Sequence, residues 1–333
     1  MRRASLALLA FTAATGCGFA LDPPSIVRTP RTLGVVAEPP ELPMTVTLPE
    51  GGIPTLSIDS DLRLSALSFA PDGGEDLSRS RPLRHRFRAC FDAARILSIN
   101  GLPGGSTNEP CDLVPGSPEE GTVEPSVVLD RAWMAEQLLL GLAAFASLGG
   151  GGSGGGGGPV DLDLALLLEV GIALEVQHEL LDEDGNLLLA AYKRVAVTTR
   201  DRPTTNPPPP TFFLGDTLVV GAPGSLDCTS WDGAPLSVRA REEITISPYP
   251  DDEWWQETFP VYDYSGGLVT GEENAYYSWF ATAGALSPEL SSPPDRDTTW
   301  TAPEAVGDQR LFVVLRDGHL GTSACSLRVT VTE

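Results

Sequence analysis

Four consecutive prolines, Pro207 to Pro210, constrain this chain more than any other feature. A proline run has fixed φ angles and no backbone N–H to donate, so it enters neither a helix nor the interior of a sheet. It reads as a semi-rigid extended connector, and with the polar residues before it marks a linker over 201–212. The linker divides the chain into 33–200 and 213–333. Each part is long enough for its own core, at roughly 100 to 200 residues per domain.

On both sides of the linker the pattern is that of short strands. The 35 Gly and 30 Pro supply turns and leave little room for long helices. Leu33 to Glu38 reads as an edge strand stopped by Pro39 and Pro40, and Leu62 to Phe69 as a more buried strand. Alternation is clearest in Arg84 to Phe91, where His85, Phe87, Ala89 and Phe91 face one way and Arg84, Arg86 and Arg88 the other. Val170, Ile172, Leu174 and Val176 alternate with Ala173, Glu175 and Gln177. With Leu188 to Thr198 beyond the turn Asp182 to Asn186, they predict a β-hairpin. Asp182, Asp184 and Gly185 have a calcium-loop flavour, but the terminal bidentate glutamate of such a loop is absent.

One helix interrupts the strands. Asp130 can cap a helix over 130–148, with Trp133, Gln137, Leu140, Ala144 and Ser147 on neighbouring turns. A Gly-rich loop over 149–158 ends it. Gly151 to Gly155 matches the Gly-x-Ser-x-Gly nucleophile elbow only trivially, because polyglycine cannot supply the rigid strand-to-helix turn. After the linker come Asp216 to Val220, Leu236 to Ile246, a pair around Trp254 to Val261 and Leu268 to Thr270, then Tyr276 to Ala281, Thr298 to Thr301, Leu311 to Leu315 and Ser326 to Thr332. Short strands at this spacing make a sandwich. The expected fold class is all-β: two β-sandwich domains, the first carrying the helical and Gly-rich insertion.

The N-terminus reads as an export signal. Arg2 and Arg3 precede an apolar stretch from Ala4 to Ala14, then Ala14-Thr15-Gly16-Cys17. The stretch is too short for a bilayer, which needs about 20 apolar residues. The tetrapeptide resembles a lipobox, with Ala14 where Leu is usual, which implies cleavage after residue 16 and acylation of Cys17. The segment 17–32 would then be the lipidated tether. A plain secretory signal cut after another small residue is the alternative. Gly18 after the cysteine, where inner-membrane retention favours Asp, points to the outer membrane. The expected address is the cell envelope, with the membrane as partner through the lipid anchor.

If Cys17 is acylated, Cys90, Cys111, Cys228 and Cys325 remain for an oxidising compartment. Three connectivities are open; pairing within each half gives Cys90 with Cys111 and Cys228 with Cys325. The cysteines have no metal-ligand spacing, and no cofactor is expected. Formal charge is −23, or −25 once Arg2 and Arg3 leave with the leader. Such a chain lacks the clustered cations that a nucleic-acid backbone requires. Lys193 is its single lysine.

In the C-terminal half, Tyr277 to Gly284, Thr299 to Pro303, Leu311 to Gly318 and Gly321 to Ser323 resemble the last strands of immunoglobulin-like or PKD-like domains. Similar runs occur in lipoproteins of GC-rich Gram-negative bacteria, notably myxobacteria, as do Leu33 to Pro40 and Ala191 to Val195. The resemblance implies two Ig-like domains and an envelope address, and no reaction. Physics agrees at Trp279, placed mid-strand as a core aromatic, and at Arg316-Asp317-Gly318, a turn between the final strands.

The candidate binding stretch is Tyr249 to Gln256 with Phe259, Tyr262 and Tyr264, in which Trp254, Trp255, Tyr262 and Tyr264 stand beside Asp251, Asp252 and Glu253. Rings beside carboxylates suit a sugar or a peptide; the competing account is that these rings fill the sandwich. His85, His178 and His319 fall on separate elements and form no metal or catalytic motif. The helix and its Gly loop could also be an apolar arm that docks on a partner or the membrane. The expected role is therefore a structural or protein-interaction lipoprotein without catalysis, with a carbohydrate- or cell-wall-binding module as the second reading and an envelope hydrolase as a third.

Overall fold

The computed structural model describes residues 25–47, 55–74, 76–91, 111–149, 164–251, 253–262 and 267–333. The chain is all-β, with its four main sheets stacked as two sandwiches. The expected leader, Cys17, Gly150 to Gly158 and Tyr264 lie outside the described residues.

The N-terminal half runs β1 (Arg31–Glu38), β2 (Glu41–Thr47), β3 (Thr55–Ile58), β4 (Leu62–Phe69), β5 (Arg84–Cys90), β6 (Asp112–Leu113), β7 (Ser126–Leu129), α1 (Arg131–Gly149), α2 (Leu164–Val170), β8 (Ile172–Leu181) and β9 (Leu187–Thr198). A three-stranded sheet, β1-β4-β7, covers a six-stranded one, β3-β2-β9-β8-β5-β6. Between them lie Val35, Leu62, Leu64, Phe87, Leu174 and Val195, with Met134 and Leu138 of α1 closing one side. Asp130 caps α1, its Oδ1 accepting from the Ala132 and Trp133 amides at 2.8 and 3.2 Å. Gly141 lets this helix approach β5, since a Cβ there would stand 2.7 Å from the Phe91 carbonyl oxygen.

The alternation in β5 is as expected, with His85, Phe87 and Ala89 buried. Its arginine face is not simply solvated, however. Arg86 and Arg88 reach Glu119 at 2.8 and 3.0 Å and also engage Glu179 on β8, so a loop covers the sheet there. That cover buries Glu179, and β8 is buried on nearly every residue, Glu175 included. The short helix α2, absent from the sequence expectation, is held by Thr198, whose hydroxyl donates to the Leu168 and Glu169 carbonyls. At the turn after β8, Asp182 accepts from the amide and side chain of Asn186, which is turn chemistry.

The C-terminal half runs β10 (Thr211–Leu214), β11 (Thr217–Gly221), β12 (Cys228–Ser230), β13 (Ser237–Arg239), β14 (Glu243–Pro248), β15 (Thr258–Tyr262), β16 (Leu268–Glu272), β17 (Tyr276–Ala281), β18 (Ala285–Ser287), β19 (Leu290–Ser291), β20 (Thr298–Thr301), β21 (Gly307–Arg316) and β22 (Thr322–Thr332). One sheet is β12-β11-β10-β14-β20-β18 and the other β13-β22-β21-β17-β19, with β15-β16 a separate hairpin. The stretch Leu236 to Ile246, expected as one strand, splits between the two sheets, and Arg241 with φ 65° makes the turn. Trp279 is buried in the core and donates from Nε1 to Ser291 Oγ at 2.8 Å.

Cys90 bonds to Cys111 and Cys228 to Cys325, with Cα separations of 5.0 and 5.5 Å. The second bond ties β12 to β22 and so joins the two sheets, next to the core tryptophan, as in immunoglobulin-like sandwiches. The β1-β4-β7 sheet is covered on both faces. Its outer face, through Leu33, Leu67 and Phe69, packs on Phe312, Val314 and Ala324 of β21 and β22. Four layers therefore stack in series, and the Phe69 and Phe312 rings meet across the junction with centroids 5.3 Å apart.

The chain enters through this junction. Ser25, Ile26 and Val27, expected within the tether, are buried, and Val27 N–H donates to Ala281 O while Ala281 N–H donates to Ser25 O. These residues lie alongside β17, so 25–27 belong to the folded body.

Candidate functional site

Beside the apolar layer the junction holds a cluster of charges. The 201–212 segment passes between the sandwiches with Thr204, Pro207 and Pro210 buried. Glu41, the first residue of β2, is 0% exposed and gathers three donors. Its Oε2 accepts from the Thr204 amide at 2.6 Å and from the Arg200 guanidinium, and its Oε1 pairs with His319 Nε2 at 3.0 Å. The His319 ring stacks on Phe259 of β15, centroids 3.7 Å apart. Asn206 links the halves again, donating to Ala37 O at 2.6 Å and accepting from the Thr322 amide at 2.9 Å.

Asp317 and Glu273 lie in the same cluster. Asp317, expected as an ordinary turn residue, is 0% exposed; its Oδ1 accepts from the His319 amide at 2.7 Å. Gly321 is required beside it, because a Cβ there would fall 1.9 Å from Asp317 Oδ2. Burial raises the pKa of Asp317, against the opposing pull of the His319 amide and of Lys193. Glu273 is pushed up to about 8, by burial first and then by the negative charges of Asp317, Glu257 and Glu41. Lys193 points its ammonium inward, donating to Leu320 O and to Thr322 Oγ1 at 3.0 Å. Burial brings it down to about 8, with Asp317 acting in the other direction.

Paired carboxylates with shifted pKa values would serve catalysis only if substrate could reach them. These are enclosed. The open groove of about 360 Å³ at the junction is walled instead by Pro39, Pro40, Pro208, Pro209 and Pro223, with Glu38 and Arg63 its charged residues. Among the described residues no group of three or more His, Cys, Asp or Glu is placed to hold a metal ion. Nor is any described helix long and apolar enough to cross a membrane.

The aromatic stretch separates into two parts. Trp254 is 70% exposed, whereas Trp255 packs on the C-terminal core. Arg296 draws Glu253 inward with an ion pair of 2.8 Å and donates to Pro250 O. Tyr262 closes the β15-β16 hairpin opposite Leu268, and Tyr264 lies outside the described residues. Of these rings Trp254 and Trp255, the two with described side chains, point to opposite sides, one to solvent and one to the core. A different aromatic, Trp231 after β12, stands alone in the sequence and is 74% exposed.

No protein-family model matches the chain, and no curated protein matches it. Among solved structures, the D00-D0 domain of intimin is similar at 14% identity and TM-score 0.19, covering 48% of this chain and 65% of that one. The fibronectin(III)-like modules of Clostridium thermocellum CbhA are similar at 12% identity and TM-score 0.18, over 82% and 86% of the two chains. SGBP-B of a Bacteroides ovatus mixed-linkage glucan utilization locus, solved with a mixed-linkage heptasaccharide, is similar at 10% and 0.15, over 87% and 70%. The chain spans less than two thirds of the intimin structure, and at these scores none of the three bears on what this chain binds.

Proposed function

We propose that this chain is a lipid-anchored envelope protein that presents one rigid, four-layer β stack for interaction, with no catalytic step. The observation that carries the reading is the junction. Phe69 against Phe312, Glu41 holding Arg200 and His319, and Asn206 bridging β1 to β22 fix the two sandwiches to each other. A protein built to close around a substrate would leave such an interface small and polar. Two disulfides agree with an oxidising compartment. The Ser25 to Val27 contact would place the anchored end at the flank of the junction. On this reading the membrane partner is reached through acyl chains on Cys17, at the outer membrane, and the further partner is an envelope protein.

The test is metabolic labelling with radioactive palmitate in a Gram-negative host, followed by membrane fractionation. Label in the outer-membrane fraction that disappears in Cys17→Ser is expected. An unlabelled wild-type chain would overturn the anchor. Exposure of Trp254 favours a second reading, a carbohydrate- or cell-wall-binding site in the 249–264 stretch.

A further inference from the structure

The outermost sheet, β12-β11-β10-β14-β20-β18, turns Phe212, Leu214, Val219 and Ile246 into the core. Alternation then sends Phe213 and Leu218 outward, and the two stand opposite each other in the β10-β11 register. Trp231 continues the row. Its amide donates to Leu218 O at 2.8 Å, in step with the Val219 to Ser230 pairing, and its ring is 74% exposed. At the other end Tyr249, 50% exposed, meets Phe213 edge-on with centroids 5.5 Å apart. Trp231, Leu218, Phe213 and Tyr249 thus form one ledge across β12, β11, β10 and the end of β14. With neighbouring strands about 4.8 Å apart, Trp231 and Phe213 stand roughly 10 Å from each other.

The charge of this face selects its occupant. Hydroxyls of Thr211, Thr229 and Ser247 flank the ledge. Among the described strand residues facing outward on this sheet, Glu243 is the one with a charge, although the chain as a whole stands at −23. Asp232, next to Trp231, is occupied with the Ala234 amide at 3.0 Å. An anionic polymer is repelled by the chain, and a basic peptide finds no row of carboxylates here. A ligand that offers flat C–H faces to rings and hydroxyls to Thr and Ser, and that carries no charge, matches on every count.

We propose that the Trp231–Leu218–Phe213–Tyr249 ledge is a binding site for a neutral polysaccharide. The inference shares the chemistry of the glycan reading given for 249–264 but places the contact on other residues, meeting that stretch at Tyr249.

The experiment is native affinity electrophoresis of the full chain in detergent, through gels containing dextran, galactomannan, laminarin, hydroxyethylcellulose or, as the charged control, polygalacturonate. Retardation by at least one neutral polymer and not by polygalacturonate is expected, with at least tenfold loss of affinity in Trp231→Ala. The melting temperature of that variant should stay at the wild-type value because the ring is exposed. Trp254→Ala should bind as wild type does. Binding lost in Trp254→Ala and kept in Trp231→Ala would overturn the ledge and leave the 249–264 site standing. If no neutral polymer retards the wild type, both sites fall. Self-association abolished by Trp231→Ala, seen by sedimentation without any retardation, would make the ledge an interface between copies and also overturn the proposal.

Discussion

Two buried polar clusters sit at different depths of this molecule and are built in opposite ways. Inside the N-terminal sandwich, His85 Nδ1 and His178 Nε2 are 3.0 Å apart, and His178 Nδ1 meets Thr32 Oγ1 at 3.1 Å, which in turn meets Ser68 Oγ at 3.2 Å. That chain is neutral, and both ring nitrogens of His178 have partners. The junction cluster is charged and incompletely paired. Among the described residues, Glu273 Oε1, Asp317 Oδ2, Thr204 Oγ1 and Arg200 Nε are buried there without a hydrogen-bond partner. The histidine chain is thus satisfied by uncharged neighbours, while the junction groups rely on attraction across the interface to offset desolvation. The two clusters should therefore fail under different stresses.

The largest effect is expected at Glu41. Replacement by Gln preserves shape but leaves the Arg200 guanidinium buried without its counter-charge. Breaking a buried pair by removing one partner typically costs about 3–5 kcal/mol. Urea denaturation followed by tryptophan fluorescence should show a single transition for the wild type and, for the variant, a lower midpoint with two transitions as the sandwiches lose their coupling. A midpoint equal to that of the wild type would show that the apolar layer around Phe69 and Phe312 holds the junction alone.

The difference between the clusters also shows what was legible beforehand. The two-residue period of Arg84 to Phe91 and the Asp130 cap are local signals, the within-half cysteine pairs follow from the division of the chain at its linker, and each appears in the fold. His85 was legible as inward-facing for the same reason. Its pairing with His178 was not, since it depends on the β5-β8 register. Glu41 stands between Pro40 and Leu42 like any polar strand residue, and its partners Arg200 and His319 lie 159 and 278 positions away. Glu175 reads as facing away from Ile172 and Leu174, and nothing local announces that Glu119 folds over this side of the sheet. Trp254 and Trp255 read as one aromatic pair, and the turn before β15 exposes the first while packing the second on the core. The ledge was hidden for another reason: Trp231 is isolated in sequence, Tyr249 reads with the rings that follow it, and strand pairing alone brings the two into one row.

Acid should strike the histidine pair first. Burial lowers His178 to about 3, with the His85 charge adding to the effect, and lowers His85 to about 4. Above about pH 6.5 both rings are neutral folded or unfolded, and stability is undiminished. As pH falls below that value the unfolded chain takes up protons that the folded chain refuses, so stability declines by about 1.4 kcal/mol per pH unit for each proton. In a His85→Leu/His178→Leu double variant the decline between pH 6.5 and 5 should flatten. Its stability at pH 7 should change little, because both members of a buried polar pair are replaced together. A variant profile parallel to the wild type over that interval would exclude the pair as its source.

The junction should respond with the opposite sign, and more weakly, since one proton is involved. With Glu273 raised to about 8, the folded carboxyl keeps a proton that the unfolded one has released. The stability it contributes is complete below about pH 4.5 and is lost as pH rises towards 8. Lys193, lowered to about 8, acts on the alkaline side: its contribution is complete above about pH 10.5 and is lost as pH falls towards 8. The cluster is thus weakest near pH 8, where the histidine pair is fully stable. Glu273→Gln keeps a neutral side chain at every pH, so melting temperatures measured from pH 6.5 to 8 should lose the downward slope of the wild type, at most one proton's worth. Between pH 6.5 and 5 the same variant should retain the acid decline caused by the histidines. If its slope above pH 6.5 matched that of the wild type, the proton would lie elsewhere, and the contrast between a neutral sandwich interior and a titrating junction would not hold.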